Sequence, residues 1–358
     1  MQIKDVQLNN FRNYLNEEVE FKSGLNFIVG NNAQGKTNLL ESIYLVSVGK
    51  SPKNNKEKQI INFESERARV EINFTTHNAN KNIQMWLDKS NKKMIKINNL
   101  NVLKLAELVG ELSVVYFSPD ELKLIKEVPE DRRKFLDISI SQFDKAYLYD
   151  LSKYDKILKQ RNTILKQPLT RENKIEQLTL FTPQLIETAE RIIKKRIYFL
   201  ENIQKIAKDV HNLITVGENL DVIYSYIPKK DISIKQDLQN QFNACIEKEL
   251  ELGYTCFGPH RDDIIFKIND KDCKFYASQG QQRTVSLVVK LALMELIKLE
   301  IGEYPILLLD DVLSELDDTR QNKLLSLTTK YQTLITCTSI PETNLPYNKI
   351  KIENGQIK

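Results

Sequence analysis

The period of the apolar positions changes twice along this chain, and the changes divide it. Near the start, β-rich and alternating runs predict strands at Ile3 to Leu8, Glu18 to Phe21, Leu25 to Val29, Ala68 to Phe74, Asn82 to Leu87 and Met94 to Ile97. Leu39, Leu40, Ile43, Tyr44 and Val48 recur at helical spacing, which predicts one helix crossing this mixed β region. A further apolar run, Leu112 to Phe117, ends at Ser118-Pro119, where Pro suits the first turn of the next element. From there to about Thr215 the period is helical. Asp131 to Gln167 carries one pattern, and Leu185, Ala189, Ile192, Ile193, Leu200, Ile203 and Ile206 carry another. Leu220 to Ile227 then predicts a strand, Ile234 to Leu252 a helix, and Asp262 to Ile268 and Lys274 to Tyr276 strands. Val285, Val288, Val289, Ala292, Leu293 and Leu296 share one face of a long helix, and strands follow at Ile306 to Leu309 and Thr333 to Thr336. The order is head, insert, head: an α/β head built from residues 1–117 and 253–358, with an inserted, mainly helical arm over 118–252.

Two segments far apart in this pattern carry matching chemistry. Gly30-Asn31-Asn32-Ala33-Gln34-Gly35-Lys36-Thr37 fits the phosphate-loop template, in which glycines let backbone N–H groups close around phosphates. It lies between a predicted strand and a predicted helix, where the helix dipole favours an anion. The ATP contacts expected here run from Gly30 through Asn38, with Lys36 neutralising the β- and γ-phosphates and Thr37 ligating Mg²⁺. Ile306-Leu307-Leu308-Leu309-Asp310-Asp311 is an apolar strand ending in carboxylates, which suits Asp310 to the metal and Asp311 to activation of a water. The two ends of the chain must therefore meet.

A third motif sets the subclass. Ala277-Ser278-Gln279-Gly280-Gln281-Gln282-Arg283 precedes the long helix and resembles the signature of ABC-type ATPases, with Gln279 where many members carry Gly. Ser314-Glu315-Leu316-Asp317 resembles that family's D-loop. The resemblance implies that Ser278, Gly280 and Gln281 face the γ-phosphate held by a second protomer, so that ATP joins an ATP-dependent homodimer.

Composition narrows the setting. The chain has 358 residues, 41% of them hydrophobic and 28% charged, with no apolar run near the roughly 20 residues of a membrane span. It begins on a strand pattern with no signal-peptide features, so a soluble cytoplasmic protein is expected. Cys245, Cys256, Cys273 and Cys337 form no C-x-x-C pair and suggest neither a disulfide framework nor a zinc site. Net charge is only +4, yet Leu39 to Lys104 holds 12 Lys and Arg against 6 Asp and Glu. Lys50, Lys53, Lys56 and Lys58 fall in a loop there and are candidates for tracking a DNA backbone.

Over essentially its whole length the chain resembles the RecF family of bacterial recombination mediators. The motifs that carry this are Leu8-Asn9-Asn10-Phe11-Arg12-Asn13-Tyr14, the Asn-rich phosphate loop, Phe117-Ser118-Pro119-Asp120, Pro129 to Asp137, Gly258-Pro259-His260-Arg261-Asp262-Asp263, and the signature and Asp310 regions. The resemblance implies an ABC-type head with a helical arm, binding to DNA at single-strand gaps, and help in loading RecA together with RecO and RecR. It also implies that Arg12 reaches the nucleotide. His260 and Arg261 stay open between a polar turn and direct contact with ATP or DNA. Arms of about 35 to 45 residues would reach only about 50 to 70 Å, and no long heptad array or Cys hook is present, which separates the chain from SMC and zinc-hook ATPases.

Three departures from the ABC pattern bear on rate. Asp311 stands where most members have Glu, Cys337-Thr338-Ser339 replaces the switch His, and Phe117-Ser118-Pro119 carries no Q-loop Gln. They point to a weak, DNA-stimulated ATPase whose slow hydrolysis times release of a DNA-bound dimer. The alternative is an SMC-like structural clamp that holds ATP with little hydrolysis. A transporter's nucleotide-binding subunit fits less well because of the arm, a small-molecule kinase leaves the signature without use, and no N-K-x-D motif supports a GTPase.

Overall fold

The computed structural model describes residues 1–358 except 54–56, 91–92, 216 and 227–230. The described chain divides into two compact units: Met1–Glu121 with Leu287–Lys358 and a short piece from Leu213, and Leu122–Asn212 with Gly217–Ser286.

The first unit opens with β1 (Gln2–Phe11), β2 (Tyr14–Glu20), β3 (Leu25–Val29), α1 (Lys36–Val48), β4 (Arg67–Thr75), β5 (Asn80–Asp88), β6 (Lys93–Ile97), β7 (Leu100–Asn101), α2 (Leu105–Leu108) and β8 (Val114–Phe117). Six of these strands form an antiparallel sheet in the order β2-β1-β4-β5-β6-β7. Its inner face follows from strict alternation: Ala68, Val70, Ile72 and Phe74 of β4 are buried, and the residues between them are not. α1 starts after Gly35, at φ 118°, and stops at Gly49, at φ 78°, whose N–H returns to the Leu45 carbonyl at 2.7 Å. Leu39, Leu40, Ile43, Leu45 and Val46 of α1 are fully buried in one core with both sheets of this unit.

The second unit holds α3 (Lys123–Lys126), α4 (Pro129–Ser141), α5 (Lys145–Lys166), α6 (Arg171–Ile214), β9 (Leu220–Tyr224), α7 (Ile234–Leu252), β10 (Ile264–Ile268), β11 (Lys271–Asp272) and α8 (Cys273–Tyr276), and α9 (Gln279–Ile301) begins in it. The helical pattern from Asp131 to Gln167 is two helices, because the Asp144 carboxylate accepts the Tyr147 N–H at 2.9 Å and caps α5. At 44 residues α6 is about 66 Å long. The strand expected at Lys274 to Tyr276 is instead α8, started by Asp272 accepting from the Lys274 N–H at 2.8 Å. β9, β10 and β11 make a small antiparallel sheet. That pairing ties the segment after Leu252 to this unit, which therefore runs on to Ser286 where the pattern suggested a break at 252/253.

Charged side chains hold the helices of this unit together. Arg161 of α5, fully buried, donates to Glu249 of α7 at 2.6 Å, to Thr255 at 2.7 Å and to Thr182 of α6 at 3.2 Å. Breaking such a pair leaves an uncompensated buried charge and costs about 3 to 5 kcal/mol. Arg196 of α6 donates to Asp137 at 2.9 Å, to the Tyr147 hydroxyl at 2.9 Å and to the Pro259 carbonyl at 2.7 Å.

The chain completes the first unit with β12 (Ile306–Asp310), α10 (Asp318–Leu327), β13 (Thr333–Cys337), β14 (Tyr347–Glu353) and β15 (Gln356–Ile357). The second sheet has the order β15-β14-β3-β13-β12-β8, parallel throughout except for β15. β12 and β13 are buried at every position, as continuous apolar runs in a covered parallel sheet should be.

Candidate functional site

Strand order builds the site. β13 lies between β3 and β12, so the loop leaving β3 and the carboxylate ending β12 meet at the carboxyl edge of the sheet. The Thr37 hydroxyl donates to Asp310 Oδ1 at 2.9 Å across 273 residues of sequence. Asp310 is 5% exposed, and it also accepts the Thr336 hydroxyl on Oδ1 at 2.8 Å and the Tyr116 hydroxyl on Oδ2 at 3.0 Å.

The loop itself is shaped by backbone that only small residues tolerate. A Cβ on Gly30 would stand 2.4 Å from the Ile352 carbonyl oxygen, and one on Gly35 would stand 2.7 Å from Asn13 Nδ2 and 2.9 Å from the Tyr14 hydroxyl. Asn31, Asn32 and Ala33 are exposed, Ala33 at φ 64°, and the Lys36 ammonium donates across the loop to the Gly30 and Asn31 carbonyls at 2.7 and 2.9 Å. Asn38 donates to Asn13 at 2.8 Å, while Asn13 donates to the Gln34 carbonyl at 3.0 Å and Tyr14 to the Gly35 carbonyl at 3.0 Å. This cradle fits a polyphosphate: an ammonium, helix-start amides and glycines spaced for close approach. A hydroxyl and a carboxylate are hard oxygen donors suited to Mg²⁺. Among the described residues no group of three or more His, Cys, Asp or Glu could hold a metal alone, so the remaining ligands would be phosphate oxygens and water.

Asp311 follows at φ 51°, left-handed backbone for a non-glycine residue. Its N–H donates to Thr336 Oγ1 at 2.9 Å and its carbonyl accepts from Ser314 at 2.8 Å. Asp311 lines a cavity of about 400 Å³ with Ser314, Asp318, Cys337, Thr338 and Glu342. Burial, and less strongly Asp311, push the Cys337 thiol up to about 11, which leaves it protonated and inert.

Arg12, at the β1–β2 turn, is held by a carboxylate of α1. Its guanidinium donates to Glu41 of α1 at 2.8 and 3.1 Å and to the Gln59 carbonyl at 2.6 Å, and Glu41 is fully buried. The signature residues belong to the second unit, where Ser278, Gln279 and Gly280 are exposed. Ser278 and Gln281 form a reciprocal cap, with the Gln281 N–H on Ser278 Oγ at 3.2 Å and the Ser278 N–H on Gln281 Oε1 at 2.9 Å. The Gln281 amide also donates to Glu218 at 2.8 Å.

Lys50, Lys53 and Lys58 are exposed, and Lys56 lies outside the described residues. His260 sits in a closed network, Nδ1 to the Tyr154 hydroxyl at 2.7 Å and Nε2 to the Thr255 carbonyl at 3.1 Å. Arg261 is exposed and stacks on the Tyr254 ring at 5.0 Å. The neighbouring Asp263 takes two bonds from Arg132, at 2.5 and 2.9 Å, and Arg133 donates to the Asp262 carbonyl at 2.8 Å. The Pro129 and Gly258 motifs are thus partners of each other. Sequence reasoning missed Thr336, Tyr116, Asn13 and the tip of the β14–β15 hairpin, where Asn354 donates to the Gln34 side chain and the Gly355 N–H to the Gln34 carbonyl at 3.1 Å. An Asn-Gly pair between β-rich runs is a hairpin signal that could have found the last of these.

Known proteins share this fold. The family model described as the RecF/RecN/SMC N terminal domain matches residues 2–349. A DNA replication and repair protein RecF from Clostridium kluyveri is 45% identical over 96% of this chain and 94% of its own length. The chain belongs to the RecF family. A RecF of Bacillus subtilis (strain 168) is 41% identical over the whole of both chains. A solved structure of the recombination mediator protein RecF with ATP, in the RecFOR pathway, superposes with a TM-score of 0.91 at 35% identity, covering 100% of this chain and 97% of that one. An Smc head bound to the C-winged helix domain of ScpA shares the fold at TM-score 0.61 and 15% identity, so the architecture is the ABC-type head of this family. No helix among the described residues is long and apolar enough to cross a membrane.

Proposed function

We propose that the chain is a cytoplasmic, ATP-dependent DNA-binding protein of DNA repair and replication-fork maintenance. Two copies join when ATP is bound, the dimer holds DNA at single-strand gaps, and with RecO and RecR it helps to load RecA. The observation that carries this reading is the 2.9 Å bond between Thr37 and Asp310, which assembles an ATP site from opposite ends of the chain.

Gly30 to Asn38 bind the phosphates, Lys36 neutralises them, and Thr37 and Asp310 hold Mg²⁺, which when bound supplies charge neutralisation at the γ-phosphate. Asp311 orients and deprotonates the attacking water. The unit of Met1–Glu121 and Leu287–Lys358 carries the site, and the mainly helical second unit is inserted in sequence between these two parts. Arg12 reaches the nucleotide, Ser278, Gly280 and Gln281 address the partner copy's nucleotide, and Lys50, Lys53 and Lys58 follow the DNA backbone. Hydrolysis is slow and serves to release the dimer.

Sedimentation velocity with ATP, ADP and a gapped duplex tests the reading. Wild type should dimerise with ATP only, Lys36→Arg should stay monomeric, and Asp311→Asn should remain dimeric on DNA for longer. A monomer that hydrolyses ATP rapidly without DNA overturns it, and intact repair by Asp311→Asn favours the structural clamp.

A further inference from the structure

Asp310 and Asp311 are adjacent in sequence but have separate tasks in the proposed mechanism, and something must fix the second once the strand has ended. β12 stops at Asp310, so the ladder no longer constrains Asp311, whose φ of 51° lies in the left-handed region that Asp visits more readily than most L residues. Two contacts hold it. The Ser314 hydroxyl donates to its carbonyl at 2.8 Å, and its N–H donates to Thr336 Oγ1 at 2.9 Å. The same Thr336 hydroxyl spends its single proton on Asp310 Oδ1 at 2.8 Å. Thr336 sits directly opposite Asp310 in the β12–β13 register and is 1% exposed, so water does not stand in for it.

We propose that Thr336 is a positioning residue: one buried hydroxyl ties the Asp310 carboxylate to the Asp311 peptide and so aims the Asp311 carboxylate at the water that attacks the γ-phosphate. This rests on the reading of Asp311 as the water-activating group. The arrangement requires both faces of the hydroxyl, as acceptor from the peptide and donor to the carboxylate. Valine has the same shape and neither capacity; serine has both.

The experiment uses the full chain with Thr336→Val, Thr336→Ser and Asp311→Asn, and Thr336→Ala as a second deletion should the valine variant not fold. NMR exchange of the Asp311 amide is read without nucleotide, and ATP turnover is read with saturating DNA. Loss of the hydroxyl should speed amide exchange and lower kcat by about 10- to 100-fold, as other supporting residues around a metal do. KM should stay within about threefold, because phosphate binding is left intact. Thr336→Ser should restore both readouts. A raised KM with unchanged kcat, or a serine variant that behaves like valine, overturns the proposal. Wild-type turnover by Thr336→Val with Asp311→Asn inactive overturns it alone, whereas wild-type turnover by Asp311→Asn overturns the Asp311 reading as well.

Discussion

His260 is held on both ring nitrogens by its neighbours. Its Nε2 faces a carbonyl, which only accepts, so that nitrogen carries the proton and Nδ1 accepts from Tyr154. Burial, first among the causes, pulls its pKa down to about 4 from 6.5. The native ring therefore stays neutral where the unfolded one has charged. Above pH 6.5 neither state binds the proton and nothing is lost; as pH falls from 6.5 towards 4 the unfolded chain gains protons and stability drops, by about 3 kcal/mol in all. Urea unfolding across that window should show the slope in wild type and a flatter one in His260→Gln. An equal slope in both would place the titration elsewhere. For Arg12 the sequence hid the partner: Glu41 lies 29 positions away and is recognisable only once the β1–β2 turn and α1 are side by side.

At the level of elements, the phosphate loop depends on the hairpin at the far end of the chain. Gly355, at φ 74°, has no room for a Cβ, which would meet the Asn13 carbonyl oxygen at 2.5 Å; Gly302, at φ 81°, has open space. Alanine at either position pays about 1 to 2 kcal/mol for the left-handed backbone. Only Gly355→Ala should also weaken ATP binding, by roughly tenfold or about 1.4 kcal/mol, in a fluorescent-nucleotide titration. Equal affinities would show that the hairpin does not support the loop. Most helices and strands were legible because their apolar period is a local property. The exceptions have local causes too. Asp144 interrupts a continuous helical pattern by capping, and Asp272 turns a strand-like tripeptide into α8. In the site, Lys36, Thr37 and Asp310 were legible because spacing and chemistry coincide. Thr336 and Tyr116 were not, since a hydroxyl in a β-rich run is an ordinary strand residue until strand order puts it beside a carboxylate.

For the whole molecule, a ligand that needs both ends of the chain should stabilise only the assembled state. With Mg-ATP at 100 times its Kd, the native chain should gain about 2.7 kcal/mol, seen as a raised melting temperature. Lys36→Ala should show no such rise, and a rise of the same size in that variant would mean that the nucleotide binds elsewhere. The placing of β13 between β3 and β12 also sets a timetable for synthesis. The phosphate loop leaves the ribosome first, and its carboxylate partner follows 273 residues later. At 5 to 20 residues per second that interval is roughly 15 to 55 s. Throughout it, the apolar edges of β3 have neither of their neighbours, since β13 and β14 are made later still. Until β12, β13 and β14 are made, a nascent chain therefore lacks the assembled phosphate cradle and leaves both edges of β3 open to wrong pairing.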